Sequence, residues 1–320
     1  LSSFACSSAL ALFKNLLWRP DVVFQVAPTM FCCPFTLVFS KLSGAKTVLH
    51  IQDFEIDALF GLGMASGNKL KASAFAIERF LYNRFDRVSS ISGSMVQRLV
   101  TKGVSENRVV LFPNWSETAR FQLAEKSTEL LNNLGVPAGK TVLLYSGNIG
   151  EKQGLESVLD AAEKLLTINK DIVVLIVGEG ANKKHLMQIA TRKNINNVIF
   201  APLQPYEQLP TLLASVDVHL VVQKRGAADA VLPSKLTNIL AVGGNAVITS
   251  DEHTSLGQLC IEHPDIAIRV EPECVDALLK GIEAALNMPS ENATAATYAR
   301  EHLDQELILQ KFETELKAIH

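Results

Sequence analysis

Two periodicities alternate along the whole chain, and that alternation limits the folds open to it. Short runs rich in β-branched and other apolar residues recur at Asp21–Val26, Lys46–Ile51, Arg87–Ile91 and Arg108–Phe112. They recur again at Thr141–Ser146, Ile172–Val177, Asn197–Phe200, Asp217–Val222, Asn245–Thr249 and Ile266–Val270. Several are almost continuously apolar, as expected for parallel strands covered on both faces. Helical patterns separate them. In Gln153–Leu166, for example, Leu155, Val158, Leu159, Ala162, Leu165 and Leu166 fall on one face. Strands that alternate with helices predict a doubly wound α/β fold.

The series runs twice, so two Rossmann-like domains are expected. Residues 1–116 form the first, 117–140 a linker marked by prolines and glycine, 141–290 the second, and 291–320 a helical tail that crosses back to the first. The second series has six strands and the first about four, with no visible first βα unit. An unpaired parallel edge is costly, so the first domain is expected to lack its opening units. The apolar stretch from Val22 to Phe39 is broken by Pro28 and Pro34 and interrupted by Gln25. It predicts a strand, a turn and a helix, not a membrane span.

Hydrophobic residues make up 48% of the 320 positions and charged ones 20%, which excludes a disordered chain. Five scattered cysteines without metal-ligand spacing point to a reducing compartment. A pI near 6.2 and 7% aromatics argue against nucleic-acid binding. The net charge of −3 hides an asymmetry: residues 1–116 carry +5 and the remainder −8. Lys69, Lys71, Arg79, Arg84 and Arg87 cluster beside Phe75, Phe80 and Leu81. This pattern suits either an anionic membrane surface or a solvated helix face.

Chemistry concentrates at strand ends. Tyr145-Ser-Gly-Asn-Ile-Gly-Glu-Lys-Gln-Gly154 follows one strand and precedes a helix, where backbone N–H groups favour phosphate. Gly147 and Gly150 permit close approach; Asn148 and Lys152 are candidate contacts. Neither a Walker A loop nor a GxGxxG spacing is present, which disfavours a dinucleotide oxidoreductase. In Asp229-Ala-Val-Leu-Pro-Ser-Lys-Leu-Thr-Asn238, Pro233 suits a first helical turn. Ser234 and Asn238 share a face there, with Lys235 beside them. These two segments predict one shared diphosphate site. Val177-Gly-Glu-Gly180 is a third strand end, where Gly178 permits a turn and Glu179 is placed to meet a ligand hydroxyl. In the first half, His50 and Gln52 share a strand face, and Asp53, Glu55 and Asp57 crowd the loop that follows. Asp53 and His50 are the candidates for a base or a hydroxyl-positioning group.

Taken together, Ser92-Gly-Ser-Met95, Phe112-Pro-Asn114, Tyr145–Gly154, Val177–Gly180 and Leu232–Val247 resemble the GT-B retaining glycosyltransferases of family 4. His50–Asp57, Tyr145–Glu156 and Leu232–Thr249 are most similar to its colanic acid members. The resemblance implies a cytoplasmic enzyme, peripheral to the inner membrane. It implies transfer of a hexose, fucose from GDP-fucose, to a polyprenyl-diphosphate-linked sugar in exopolysaccharide synthesis. It assigns the Gly147 loop, Lys152, Ser234 and Lys235 to the diphosphate and the main chain near Leu203 to the base. Where the family carries two glutamates this chain has Ala230, with Asp229 adjacent, and Asn238. Where the family has His-Asp it has Gln52-Asp53. No Asp-x-Asp cluster suits a metal, so Lys152 and Lys235 are expected to carry the charge role with no metal cofactor. A nucleotide-sugar epimerase of the same fold and a non-catalytic nucleotide-binding protein are the competing readings.

Overall fold

The computed structural model describes residues 2–27, 30–61, 67–225 and 234–319. Every strand run named above is a strand. In the first half they are β1 (Val22–Ala27), β2 (Lys46–Ile51), β3 (Arg87–Ser90) and β4 (Val109–Leu111). In the second they are β5 (Thr141–Ser146), β6 (Ile172–Val177), β7 (Val198–Ala201), β8 (Val218–Val221), β9 (Ala246–Thr249) and β10 (Ile268–Val270). All strand pairs are parallel. The chain divides into two compact units, Leu1–Pro113 with Ile308–His320, and Asn114–Leu307.

The first unit holds a four-stranded sheet in the sequential order β1-β2-β3-β4. Its order never reverses among the described residues, so no switch-point crevice forms in it. The stretch read as strand, turn and helix is β1 followed by a helix over Cys33–Ser43. Among the described residues no helix is long and apolar enough to cross a membrane. The tail forms two helices, Ala293–His302 and Gln305–Lys317. The second places Ile308 and Phe312 against Val48, Val110 and Phe112. Phe312 stacks on Phe112 with ring centroids 3.8 Å apart.

The second unit holds a six-stranded sheet in the order β10-β9-β8-β5-β6-β7. The order reverses between β5 and β8, where doubly wound sheets open a ligand crevice at their carboxyl edge. Side chains alternate across this sheet. Val142 and Leu144 join one core cluster and Leu143 and Tyr145 the other. Residues 117–140 are not a linker. They form helices at Thr118–Gln122 and Thr128–Asn133, and bury Phe121 and Val136 in the second core with Leu130, Leu131 and Leu134 packed against them. Helices of one or two turns are too short to show an apolar period, which is why sequence pattern misses them.

Candidate functional site

Two backbone crossings shape the carboxyl edge of the second sheet. After β5 the chain folds over the end of β6: the Gly147 amide donates to the Val177 carbonyl at 3.0 Å and the Ile149 amide to Glu179 at 2.8 Å. A Cβ at Gly178 would lie 1.9 Å from the Gly147 carbonyl oxygen, and one at Gly180 would lie 2.2 Å from that of Ile149. Only glycine permits this contact, and φ of +151° at Gly178 favours glycine independently. Lys183 Nζ then donates to the Gly178 carbonyl at 2.8 Å and to Glu179 Oε1 at 2.7 Å. Gly178 and Glu179 therefore support the Gly147 loop from behind. Glu179 is spent on Lys183, and neither residue lines the cavity described next.

That cavity has a volume of about 460 Å³ and sits at the switch point. Ser146 and Gly147, following β5, form one wall, and Leu203 and Gln204, following β7, form another. Leu144, Leu209, Leu212, Leu213, His219 and Ile239 form an inner end. Trp115, Ser116, Glu117 and Tyr206 border it, and Lys235, Asn238 and Ile239 enter from the helix Ser234–Ala241.

Lys235 is the cation of the cavity. Its Nζ lies 4.0 Å from the centroid of the Tyr145 ring, a cation–π contact. Tyr145 is itself fixed by donating its hydroxyl to the Asn148 carbonyl at 2.6 Å. The Lys235 stem runs alongside Gly147: a Cβ there would be 3.9 Å from Lys235 Cδ. Among the described residues no carboxylate pairs with Lys235. The residue as a whole is half-buried, yet its ammonium is enclosed, and that burial lowers its pKa to about 7. An enclosed lysine without a counterion is a ready anion receptor.

Asn238 accepts from Ser116 Oγ through its Oδ1 at 2.8 Å and lines the cavity. Thr237 Oγ1 donates to the Trp115 carbonyl at 3.3 Å. Thr118 hydrogen-bonds Asp304, and the Gln305 amide donates to the Ser116 carbonyl at 3.0 Å. Residues 115–118 are thus tied both to the Lys235 helix and to the chain near 304. Glu117 accepts from the Tyr206 hydroxyl at 3.0 Å, and the Arg120 guanidinium covers the Tyr206 ring at 4.7 Å.

Several expectations need correction. Lys152 does not line the cavity. It sits exposed on the one-turn helix Glu151–Gln153, and its carbonyl accepts from the Lys224 amide at 2.9 Å. Asn148 is also exposed and does not line it. His50 is a core residue and not a base: it is buried between Phe24 and Phe112, with ring centroids 5.7 and 5.3 Å away. Its Nδ1 lies 3.0 Å from Ser89 Oγ, and burial lowers its pKa to about 4. Asp53 is exposed after β2. Asp57 is held by Arg98 at 2.7 Å and Lys102 at 2.6 Å. Asp229 and the side chain of Ser234, both expected at the site, lie outside the described residues. Trp115, Ser116, Glu117, Tyr206 and His219 went unread as site residues. His219 was the detectable one, since an imidazole interrupts the otherwise apolar run Val218–Val222.

Residues 126–302 match the family profile described as glycosyl transferases group 1. The chain belongs to the group 1 glycosyltransferases. Residues 3–115 of this transferase match the glycosyl transferase 4-like domain. It is 51% identical to the putative colanic acid biosynthesis glycosyl transferase WcaI of Escherichia coli K12, across 99% of this chain and 79% of that one. It is 24% identical to the probable glycosyltransferase WbjE of Pseudomonas aeruginosa, across 92% and 74%. The crystal structure of Anabaena HepE in complex with UDP superposes with a TM-score of 0.76 at 17% identity, over 97% of this chain and 81% of that one. The fold is GT-B, and the transferase is a homologue of colanic acid glycosyltransferases.

The two faces of the Val177–Gly180 turn separate support from contact. Gly178→Ala is expected to lower the unfolding midpoint and to abolish nucleotide binding, because its Cβ displaces the Gly147 loop. Glu179→Ala is expected to leave binding within about twofold, since the side chain faces Lys183. Thermal unfolding and calorimetric titration with GDP and UDP check both.

Proposed function

We propose that the cavity holds the nucleoside diphosphate of a sugar donor. The transferase then moves that sugar, fucose from GDP-fucose, to a sugar carried on a polyprenyl diphosphate during exopolysaccharide assembly. Lys235 carries the proposal: an enclosed ammonium with no carboxylate partner among the described residues, at the switch point of the sheet. The donor class also agrees with HepE, whose structure was solved with UDP. The pathway agrees with the name of WcaI.

In this reading the diphosphate lies against Gly147 and Lys235, and the Asn238 amide donates to a ribose hydroxyl. The acceptor hydroxyl oxygen attacks the anomeric carbon as the bond from that carbon to the phosphate oxygen breaks. The bonding pair leaves with the nucleoside diphosphate. The departing phosphate oxygen takes the acceptor proton on the same face of the sugar, which retains the anomeric configuration. Lys235 stabilises the growing phosphate charge, a contribution of about 3–4 kcal/mol for one preorganised donor in a dry site. With a protein cation in that place no metal cofactor is required. Asp53 is exposed at the end of β2; its proposed role is to position the acceptor hydroxyl.

The enzyme works, in this proposal, at the cytoplasmic face of an anionic inner membrane. Helix Asn68–Tyr82 supports this. Leu70, Ile77 and Phe80 are exposed on it, with Lys69, Lys71, Arg79 and Arg84 around them, and the Arg84 guanidinium sits 4.6 Å above the Phe80 ring. Apolar side chains ringed by cations suit an anionic headgroup layer.

The diphosphate raises the Lys235 pKa on binding, so affinity is full below about pH 7 and declines as pH rises through the complex's higher pKa. Titration of GDP at pH 8 in buffers of different ionisation enthalpy is expected to show uptake of close to one proton. Lys235→Met is expected to remove that uptake and lower kcat at least about 100-fold. No proton uptake together with an unchanged rate refutes the role. Incubation with GDP-fucose and a lipid-diphosphate-linked sugar in excess chelator is expected to give a β-linked product from the β-configured donor. Loss of all transfer on chelation refutes the metal-free route, and an inverted linkage refutes retention. Charge reversal of Lys69, Lys71 and Arg84 to Glu is expected to abolish sedimentation with phosphatidylglycerol vesicles. Undiminished sedimentation refutes the membrane surface assigned here.

A further inference from the structure

We propose that the nucleobase of the donor stacks on the ring of Tyr206, in the cavity wall that follows β7. This rests on the donor reading above and extends it from the class of ligand to the residue that holds its base.

Presentation comes first. Tyr206 opens the one-turn helix Tyr206–Gln208, behind a loop with prolines at 202 and 205. The Gln204 side-chain amide donates to the Pro202 carbonyl at 2.8 Å, and the Gln208 main-chain amide to the Pro205 carbonyl at 3.0 Å. Two proline φ angles and two closed turns hold the backbone under the ring. The far end of the side chain is fixed as well. Its hydroxyl donates to Glu117 Oε1 at 3.0 Å, and Glu117 Oε2 accepts from Arg120 at 3.3 Å. Partial burial and the bond to Glu117 raise the hydroxyl pKa, so it stays a donor at neutral pH.

Access comes second. Despite these ties Tyr206 is 46% exposed and lines the cavity. The Arg120 guanidinium covers one face of the ring and does not itself line the cavity. The face it leaves open is the one a ligand meets. Leu203, on the same loop, is also exposed and lines the cavity. The inner end of the cavity offers no such surface: the His219 ring is buried and packs on Gly244, where a Cβ would approach its Cδ2 and Nε2 to 2.5 Å. A ring backed by a cation, pinned at its hydroxyl and open on one side is preorganised for a flat partner.

Order comes third. Lys235 and Asn238 stand about one turn apart on one helix. Asn238 bonds Ser116, and the next residue, Glu117, bonds Tyr206. The lining thus passes stepwise from cation to amide to aromatic ring. A nucleoside diphosphate presents phosphate, ribose and base in the same order. Its base has an apolar face whichever base it is, so stacking is the contact that matches.

The test titrates GDP, UDP and, as the base-free control, inorganic pyrophosphate into the wild-type chain, Tyr206→Ala and Tyr206→Phe. Tyr206→Ala is expected to weaken whichever nucleotide the wild type holds at least about tenfold, with pyrophosphate affinity unchanged. Tyr206→Phe keeps the ring and is expected to retain most of the nucleotide affinity. In wild-type protein carrying ring-¹³C-labelled tyrosine, the Tyr206 resonances are expected to move upfield on adding that nucleotide and to stay in place on adding pyrophosphate. This second measurement stands even where a variant fails to fold. Ring resonances unmoved at nucleotide saturation overturn the proposal. So does a Tyr206→Ala variant with wild-type nucleotide affinity or with an equal loss for pyrophosphate, or a Tyr206→Phe variant as weak as Tyr206→Ala. A wild type that binds pyrophosphate but neither nucleotide overturns the donor reading as well.

Discussion

Backbone lying directly on backbone governs the second unit. Where the chain leaves β5 it crosses the end of β6 at Gly178 and Gly180, too close for any side chain. That crossing fixes the height of the Gly147 loop above the sheet. Loop height sets how far the Lys235 stem must reach to cover the Tyr145 ring. The hydrogen bonds from Ile149 to Glu179 and from Asn182 to Ile149 close the same unit from both sides. The cavity is thus a consequence of main-chain packing, decorated afterwards by side chains.

The cation held in this frame is unusual in what surrounds it. Most lysines here with a fixed partner have a carboxylate: Lys102 has Asp57 and Glu78, and Lys193 has Asp160 and Glu163. Lys235 has an aromatic face instead. A carboxylate would neutralise the cation and compete with an incoming anion. A ring orients it while leaving its charge available. Dehydration of the ammonium, which lowers its pKa, also strengthens its field at the spot where a phosphate would rest.

Strand positions were legible because parallel strands covered on both faces are nearly pure in composition, and several of the ten runs carried that mark. The carboxyl-edge loops were legible for a related reason, since glycines cluster where strands turn into helices. Individual side chains were less legible. Lys152 and Lys235 follow similar strand ends, but Lys152 sits on a single helical turn that holds it away from the cavity, a detail of φ and ψ that spacing does not encode. His50 looked functional beside Asp53, yet its neighbours in space, Phe24 and Phe112, are distant in sequence. The 115–118 border was hidden for the same reason: its partners are Asn238 and residues near 304. Long-range pairing is the information a single sequence withholds.

The contact between the imidazole at 219 and the bare α-carbon at 244 joins a position in β8 and one in the turn before β9 into one heritable unit. A homologue that keeps the histidine is obliged to keep the glycine. One that trades the ring for a smaller residue is released to fill position 244. A side chain at 244 is barred by volume while the ring remains, so a change there should follow loss of the ring and shift the local packing in discrete steps.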